Sequence, residues 1–175
     1  GADMLVKRLL IDAGDKELVH YEEARKLYRT EFDKDPFYKI QHYPGMPETL
    51  KTLKQNGVKL GVCSNKPHEA AVKVVKRMFG DQVFDMVMGQ SDSIRKKPAP
   101  DGPLKIAEAF GVLPEECMYL GDSGTDMQTG KAAGMYTVGV LWGYREKEEL
   151  LKNGADALVE SPEDILDLYE EKCSK

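Results

Sequence analysis

From residue 43 onward, short apolar runs alternate with amphipathic stretches, and glycines close several of the latter. Few sequence features restrict the fold as strongly. A strand, then a helix, then another strand leads to a parallel sheet with helices on its faces. The pattern predicts strands at residues 58–63, 83–88, 117–120, 136–142 and 157–159. Between and around them it predicts helices at 47–56, 68–79, 103–110, 125–133, 146–152 and 162–172. Gly57, Gly80, Gly111 and Gly134 each follow a helical stretch, and prolines stand near the first turns of several, the usual asymmetry of helix ends. In such a fold ligands gather beyond the carboxyl ends of the strands.

The first forty residues follow a different period. Leu5, Leu9 and Leu10, then Leu18, Val19, Ala24, Leu27, Tyr28 and Phe32, lie at helical spacing with charges between them, and Ala13-Gly14-Asp15 interrupts the series. Two amphipathic helices are predicted, with no strand among them. The dense turn signal Tyr43-Pro44-Gly45-Met46-Pro47 separates the two regimes, so the domains are set at residues 1–42 and 43–175.

Charge and composition narrow the partners. Lys and Arg number 25 against 30 Asp and Glu, a formal net charge of -5, which argues against nucleic acid while leaving room for a small phosphate pocket. No apolar run approaches the roughly 18 residues that a transmembrane helix needs, so no membrane partner is expected. Cys63, Cys117 and Cys173 form no CxxC pair, and reduced core thiols in a cytoplasmic protein are the expectation.

Polar residues cluster where the predicted strands end. Ser64 and Asn65 follow the first strand, and Asp122 follows the third, so all three fall on one edge of a parallel sheet. Ser64 and Asn65 can serve as helix caps, or the hydroxyl and nearby N–H groups can hold a phosphate oxygen. The loop at residues 91–102 contains Arg95-Lys96-Lys97-Pro98-Ala99-Pro100-Asp101. A charged loop is usually solvated surface, yet a lysine stiffened by proline beside a crevice can neutralise developing phosphate charge. Lys97, tied to Pro98, is the better placed of the two lysines. Asp122 and Asp126 stand four residues apart at a strand-to-helix junction, suited either to capping that helix or to magnesium.

These segments resemble three motifs of the haloacid dehalogenase (HAD) superfamily. The matching residues are Val62-Cys63-Ser64-Asn65-Lys66-Pro67, Lys96-Lys97-Pro98-Ala99-Pro100-Asp101, and Tyr119-Leu120-Gly121-Asp122-Ser123 with Asp126 and Ala133-Gly134-Met135. The closest likeness is to phosphoglycolate-phosphatase-like members. The resemblance implies a HAD-like Rossmannoid α/β core over 43–175 and the C-terminal part of a helical cap over 1–42. It also implies magnesium-dependent hydrolysis of a small phosphorylated metabolite through an aspartyl-phosphate. By position, Ser64, Asn65 and Lys97 would bind phosphate, Lys97 and Asp126 would be catalytic, and Asp122 would ligate magnesium.

One family element is missing from the pattern. Members carry an Asp-x-Asp pair at the end of a first core strand, which supplies the nucleophile. Asp33-Lys34-Asp35 is the only Asp-x-Asp before the core, and no apolar strand precedes it. Without a nucleophilic carboxylate no covalent step can occur. The chain is therefore expected to lack an N-terminal segment and to be inactive alone, its central strand position filled by that segment, another copy or a rearranged element. A sugar-phosphate mutase and a non-catalytic phosphate-binding module are the rival readings. Gly121 and Asp126 favour the phosphatase over the mutase.

Overall fold

The computed structural model describes residues 2–35, 37 and 39–173, with the side chains of Ala2, Asp33 and Cys173 excepted. It divides into two compact units, Gly1–Ile40 and Gln41–Lys175. The first unit is a helical pair. Helix α1 (Ala2–Asp12) and helix α2 (Tyr21–Lys34) are joined through a turn in which the Asp15 carboxylate accepts the backbone N–H groups of Val19 and His20. Lys34 is the last residue of α2, and the Asp35 carboxylate accepts the Phe37 N–H. The Asp-x-Asp at 33–35 thus sits at a helix end, as its sequence context implies.

The second unit is built as the alternation predicts. In chain order it runs α3 (Met46–Gln55), β1 (Gly61–Pro67), α4 (His68–Phe79), β2 (Met86–Gln90), α5 (Asp101–Phe110) and β3 (Met118–Gly121), followed by α6 (Gly124–Ala132), β4 (Tyr136–Val140), α7 (Lys147–Lys152), β5 (Ala157–Val159) and α8 (Asp164–Cys173). Every strand pairing is parallel. The strands form two sheets, however: β1 pairs with β2, while β3, β4 and β5 pair in that order. No ladder joins β1 to β3 among the described residues.

The core explains which faces turn inward. Leu50 and Leu53 of α3 pack with Val138 and Val140 of β4, Val159 of β5 and Ile165 of α8. Val138, Met127 and Leu150 are fully buried, each worth about 1.5–3 kcal/mol of transfer free energy.

Several strand boundaries depart from the sequence reading: β2 is shifted to Met86–Gln90, β4 stops at Val140, and both ends of β1 move for a physical cause. Strand β1 starts three residues later than expected because the Asp85 carboxylate takes the Leu60 N–H at 2.7 Å and Lys54 holds that carboxylate. It also runs on past Cys63 to Pro67. Cys63 pairs with Met88 and Pro67 with Gln90, so Ser64, Asn65 and Lys66 together face only Gly89. This is a bulge, which bends a strand and re-aims its side chains. Gly89 is required beneath it: a Cβ there would lie 2.7 Å from the Lys66 carbonyl and 2.6 Å from the His68 Cα.

Candidate functional site

Lys97 is the hub. Its Nζ donates to Asp126 Oδ1 at 2.7 Å and to the Cys63 carbonyl of β1 at 3.2 Å. The lysine and aspartate side chains are only 16% and 10% exposed, whereas Lys96 is exposed. An ion pair so far from solvent is screened far less than a surface pair.

Asp126 reaches the lysine from the first turn of α6. Ser123 is the N-cap of that helix, its oxygen accepting the Asp126 N–H, as the short polar residue at a strand-to-helix junction should. The Ser123 hydroxyl in turn donates to Asp126 Oδ2 at 2.5 Å. Both carboxylate oxygens of Asp126 are therefore engaged. Gly121 allows this aspartate to fold back on the strand end, since a Cβ there would fall 2.2 Å from the Asp126 Cβ.

Asp122 is held separately. Its Oδ2 accepts the Tyr144 N–H at 3.1 Å from the loop after β4. Gly143 makes that approach possible, because a Cβ on it would lie 2.2 Å from the Asp122 Cβ. The sequence pattern left Asp122 and Asp126 open between capping the helix and holding magnesium, and the family resemblance gave the metal to Asp122 and a catalytic role to Asp126. The structure separates their roles: Asp126 serves Lys97 and Ser123, and of the two only Asp122 keeps a carboxylate oxygen without a hydrogen-bond partner among the described residues. No group of three or more His, Cys, Asp or Glu side chains suited to a metal exists among the described residues. Magnesium takes one or two carboxylates, with waters and a phosphate completing its shell. Asp122 fits as one such donor, a partial set.

Ser64 and Asn65 lie in the β1 bulge, not at a helix cap. The N-cap of α4 is Pro67, which has no side-chain cap, and the Ser64 hydroxyl oxygen accepts the Lys66 N–H at 3.1 Å. Asn65 turns toward the lysine loop: its Oδ1 accepts the Lys97 N–H at 2.7 Å, and its Nδ2 donates to the Lys97 carbonyl at 3.3 Å. At the other end of that loop, Asp101 grips Arg95. The guanidinium donates from Nη2 to Oδ1 at 2.7 Å and from Nε to Oδ2 at 2.9 Å, and these bonds hold the Asp101 carboxyl at about 2.

Cys63 and Tyr119 had no signal in the sequence as site neighbours. Cys63 packs against the cluster that holds Tyr119, across the line between β1 and β3, and burial pushes both groups up in pKa; the Lys97 charge opposes this at the thiol. β1 and β3 therefore come within side-chain reach of each other without sharing a backbone ladder.

A half-buried, doubly anchored ammonium, with the Ser64 hydroxyl and the Asp122 carboxylate at the ends of parallel strands, makes a place where a doubly charged oxyanion can be positioned and neutralised. Comparison with known proteins agrees with this chemistry. The family model described as haloacid dehalogenase-like hydrolase matches residues 3–140. The chain is 33% identical over 149 residues to a phosphoglycolate phosphatase of Aquifex aeolicus, covering 85% of this chain and 68% of that protein. It is 34% identical over 124 residues to the Escherichia coli phosphoglycolate phosphatase, covering 71% of this chain and 49% of that one. The chain thus spans about half the length of the Escherichia coli relative. Among solved structures, a Lactobacillus delbrueckii protein assigned as a phosphoglycolate phosphatase superimposes with a TM-score of 0.83 at 32% identity, over 94% of this chain and 77% of that one. A Thermotoga maritima protein assigned as a beta-phosphoglucomutase superimposes at 0.71 with 28% identity, over 88% and 70%. Matched by that family model over residues 3–140, most of its length, the chain belongs to the haloacid dehalogenase-like hydrolases.

Proposed function

We propose that the chain is the greater part of a magnesium-dependent phosphomonoester hydrolase acting on a small phosphorylated metabolite in the cytoplasm. The observation that carries this reading is the seam between β1 and β3. Their side chains meet, at Cys63 and Tyr119, yet their facing backbone edges form no ladder, and Lys97 and Asp126 cluster at the carboxyl end of the seam. Unpaired strand edges are a liability that folded proteins cover. A strand seated there, from a further segment or a second copy, would satisfy both edges and deliver a carboxylate beside Lys97.

That carboxylate would be the nucleophile. Its oxygen attacks phosphorus, the ester oxygen leaves, and water then hydrolyses the acyl phosphate. Lys97 would neutralise charge on the transferring phosphoryl group, and Asp126 would keep the ammonium aimed there. Ser64 would donate its hydroxyl to a phosphoryl oxygen. Asp122 would ligate magnesium, which when bound supplies positive charge against the phosphate oxygens. On this reading the 175 residues bind phosphate and do not turn over ester.

Phosphoglycolate is the candidate substrate that the names of the relatives suggest. A panel of phosphate esters assayed with magnesium on the chain joined to an upstream Asp-x-Asp strand tests the proposal, with Asp122→Asn as control. Hydrolysis lost in the control supports it; unchanged turnover in that variant removes the metal assignment. The Thermotoga neighbour supports a second reading, a sugar-phosphate mutase. Activity that depends on an added sugar bisphosphate would favour the mutase.

A further inference from the structure

We propose that Asn65 is a positioning residue for Lys97 and not a ligand of the phosphate. The inference rests on the reading of the site just given and adds the element that fixes its lysine. A lysine is a compact charge on a flexible four-carbon stem, and holding it in one place costs rotamer freedom. Here both of its ends are tied. The amine is bound by Asp126 and the Cys63 carbonyl, and the main chain of the same residue is bound by Asn65.

The Asn65 contact has the form of a ladder pairing made by a side chain. Oδ1 faces the Lys97 N–H and Nδ2 faces the Lys97 carbonyl, and the polarity of those two backbone groups dictates which amide atom lies where. A main-chain N–H and carbonyl are obligatory hydrogen-bonding groups, and in an irregular loop the ordinary partners are absent. The bulge makes the contact possible. Between Cys63 and Pro67 three residues of β1 face one of β2, which re-aims Asn65 toward the loop 32 residues away.

An amide held by one backbone residue through its oxygen and one of its two N–H groups has its plane set by Lys97, and acts on a phosphate through that lysine. Removing it frees the lysine main chain, and the ammonium then samples positions away from its partners. An aspartate at 65 keeps an acceptor for the Lys97 N–H and loses the donor, so it separates the two bonds.

Amide hydrogen exchange of Lys97 by NMR, together with chemical-shift titration by inorganic phosphate in magnesium, tests the proposal on the 175-residue chain, Asn65→Ala, Asn65→Asp, Lys97→Ala and the double alanine variant. Asn65→Ala is expected to speed Lys97 exchange about fivefold or more, as loss of one hydrogen bond implies. Asn65→Asp is expected to stay within about twofold of the parent. Lys97→Ala is expected to weaken phosphate about tenfold, and the double variant to bind no more weakly than Lys97→Ala alone. Unchanged Lys97 exchange in Asn65→Ala, with phosphate losses that add in the double variant, would make Asn65 a direct ligand and overturn the proposal. Equal acceleration in both single Asn65 variants reflects general loosening and overturns it too. Should exchange respond as expected while Lys97→Ala leaves phosphate affinity unchanged, the phosphate reading of the site fails and the Asn65 anchor stands.

Discussion

Breaking the Lys97–Asp126 pair from each side, and then from both, measures how much the site depends on it. The two side chains are 16% and 10% exposed, and each keeps one other partner: Cys63 O for the ammonium and the Ser123 hydroxyl for the carboxylate. Removing one member of a fully buried pair costs about 3–5 kcal/mol because the other charge stays behind. With partial exposure and a remaining hydrogen bond, Lys97→Met is expected to fall at or below the lower end of that range, about 2–3 kcal/mol. Asp126→Ala also loses the Ser123 bond and should cost about 3–4 kcal/mol. The double variant leaves no stranded charge, so its cost should fall short of the sum by about 2 kcal/mol. Urea unfolding followed by the fluorescence of Trp142, the single tryptophan, reads the Gln41–Lys175 unit, provided the m-values agree. A coupling below about 0.5 kcal/mol is the level of an exposed pair and would refute the anchored-lysine geometry.

Other consequences are open to simple measurement. The Arg95 guanidinium holds Asp101 at about 2, below its value in an unfolded chain, so the stabilisation is present above about pH 4 and is lost as pH falls toward 2. Carboxyl NMR titration should show this, and Arg95→Ala should return Asp101 to the ordinary carboxylate range. In Gly143→Ala the new methyl would fall within 2.2 Å of the Asp122 Cβ. A cost of about 1–3 kcal/mol in thermal unfolding is expected, with weakened magnesium binding by calorimetry; an unaltered variant would mean the loop does not brace Asp122. Burial raises the Cys63 thiol, so its alkylation by iodoacetamide at pH 8 should be at least about tenfold slower than that of a free thiol, and equal rates would contradict its placement.

The parts of this molecule that were legible in the sequence are those governed by local rules. Helix α4 carries its own brackets, Pro67 before it and Gly80 after it, and it runs over the residues that its period marks. The end of β3 could be found because its apolar run stops abruptly before Asp122, whereas β1 runs on past Ser64 to Pro67. What stayed hidden depends on partners distant along the chain. Asp85 shifts the start of β1 by taking the N–H of a residue 25 positions earlier. Asn65 binds the main chain of Lys97 32 residues on, and Tyr144 binds Asp122 across 22. No period or spacing records which of several surface carboxylates or amides will be chosen, because that choice is made by tertiary packing. The split of the strands into two sheets was expected only from the family resemblance and its missing first strand, since alternation predicts parallel strands without saying which pairs will be neighbours.

The most direct test of a phosphate site waiting on a nucleophile is one titration on the 175-residue chain, with magnesium and a phosphate ester, reading binding by NMR and released phosphate in the same tube. Bound ester perturbing Ser64, Lys97 and Asp122, with no sustained phosphate release, is the expected result, and Lys97→Met should abolish the binding. Sustained hydrolysis by these residues alone, unaffected by Asp122→Asn, would contradict it.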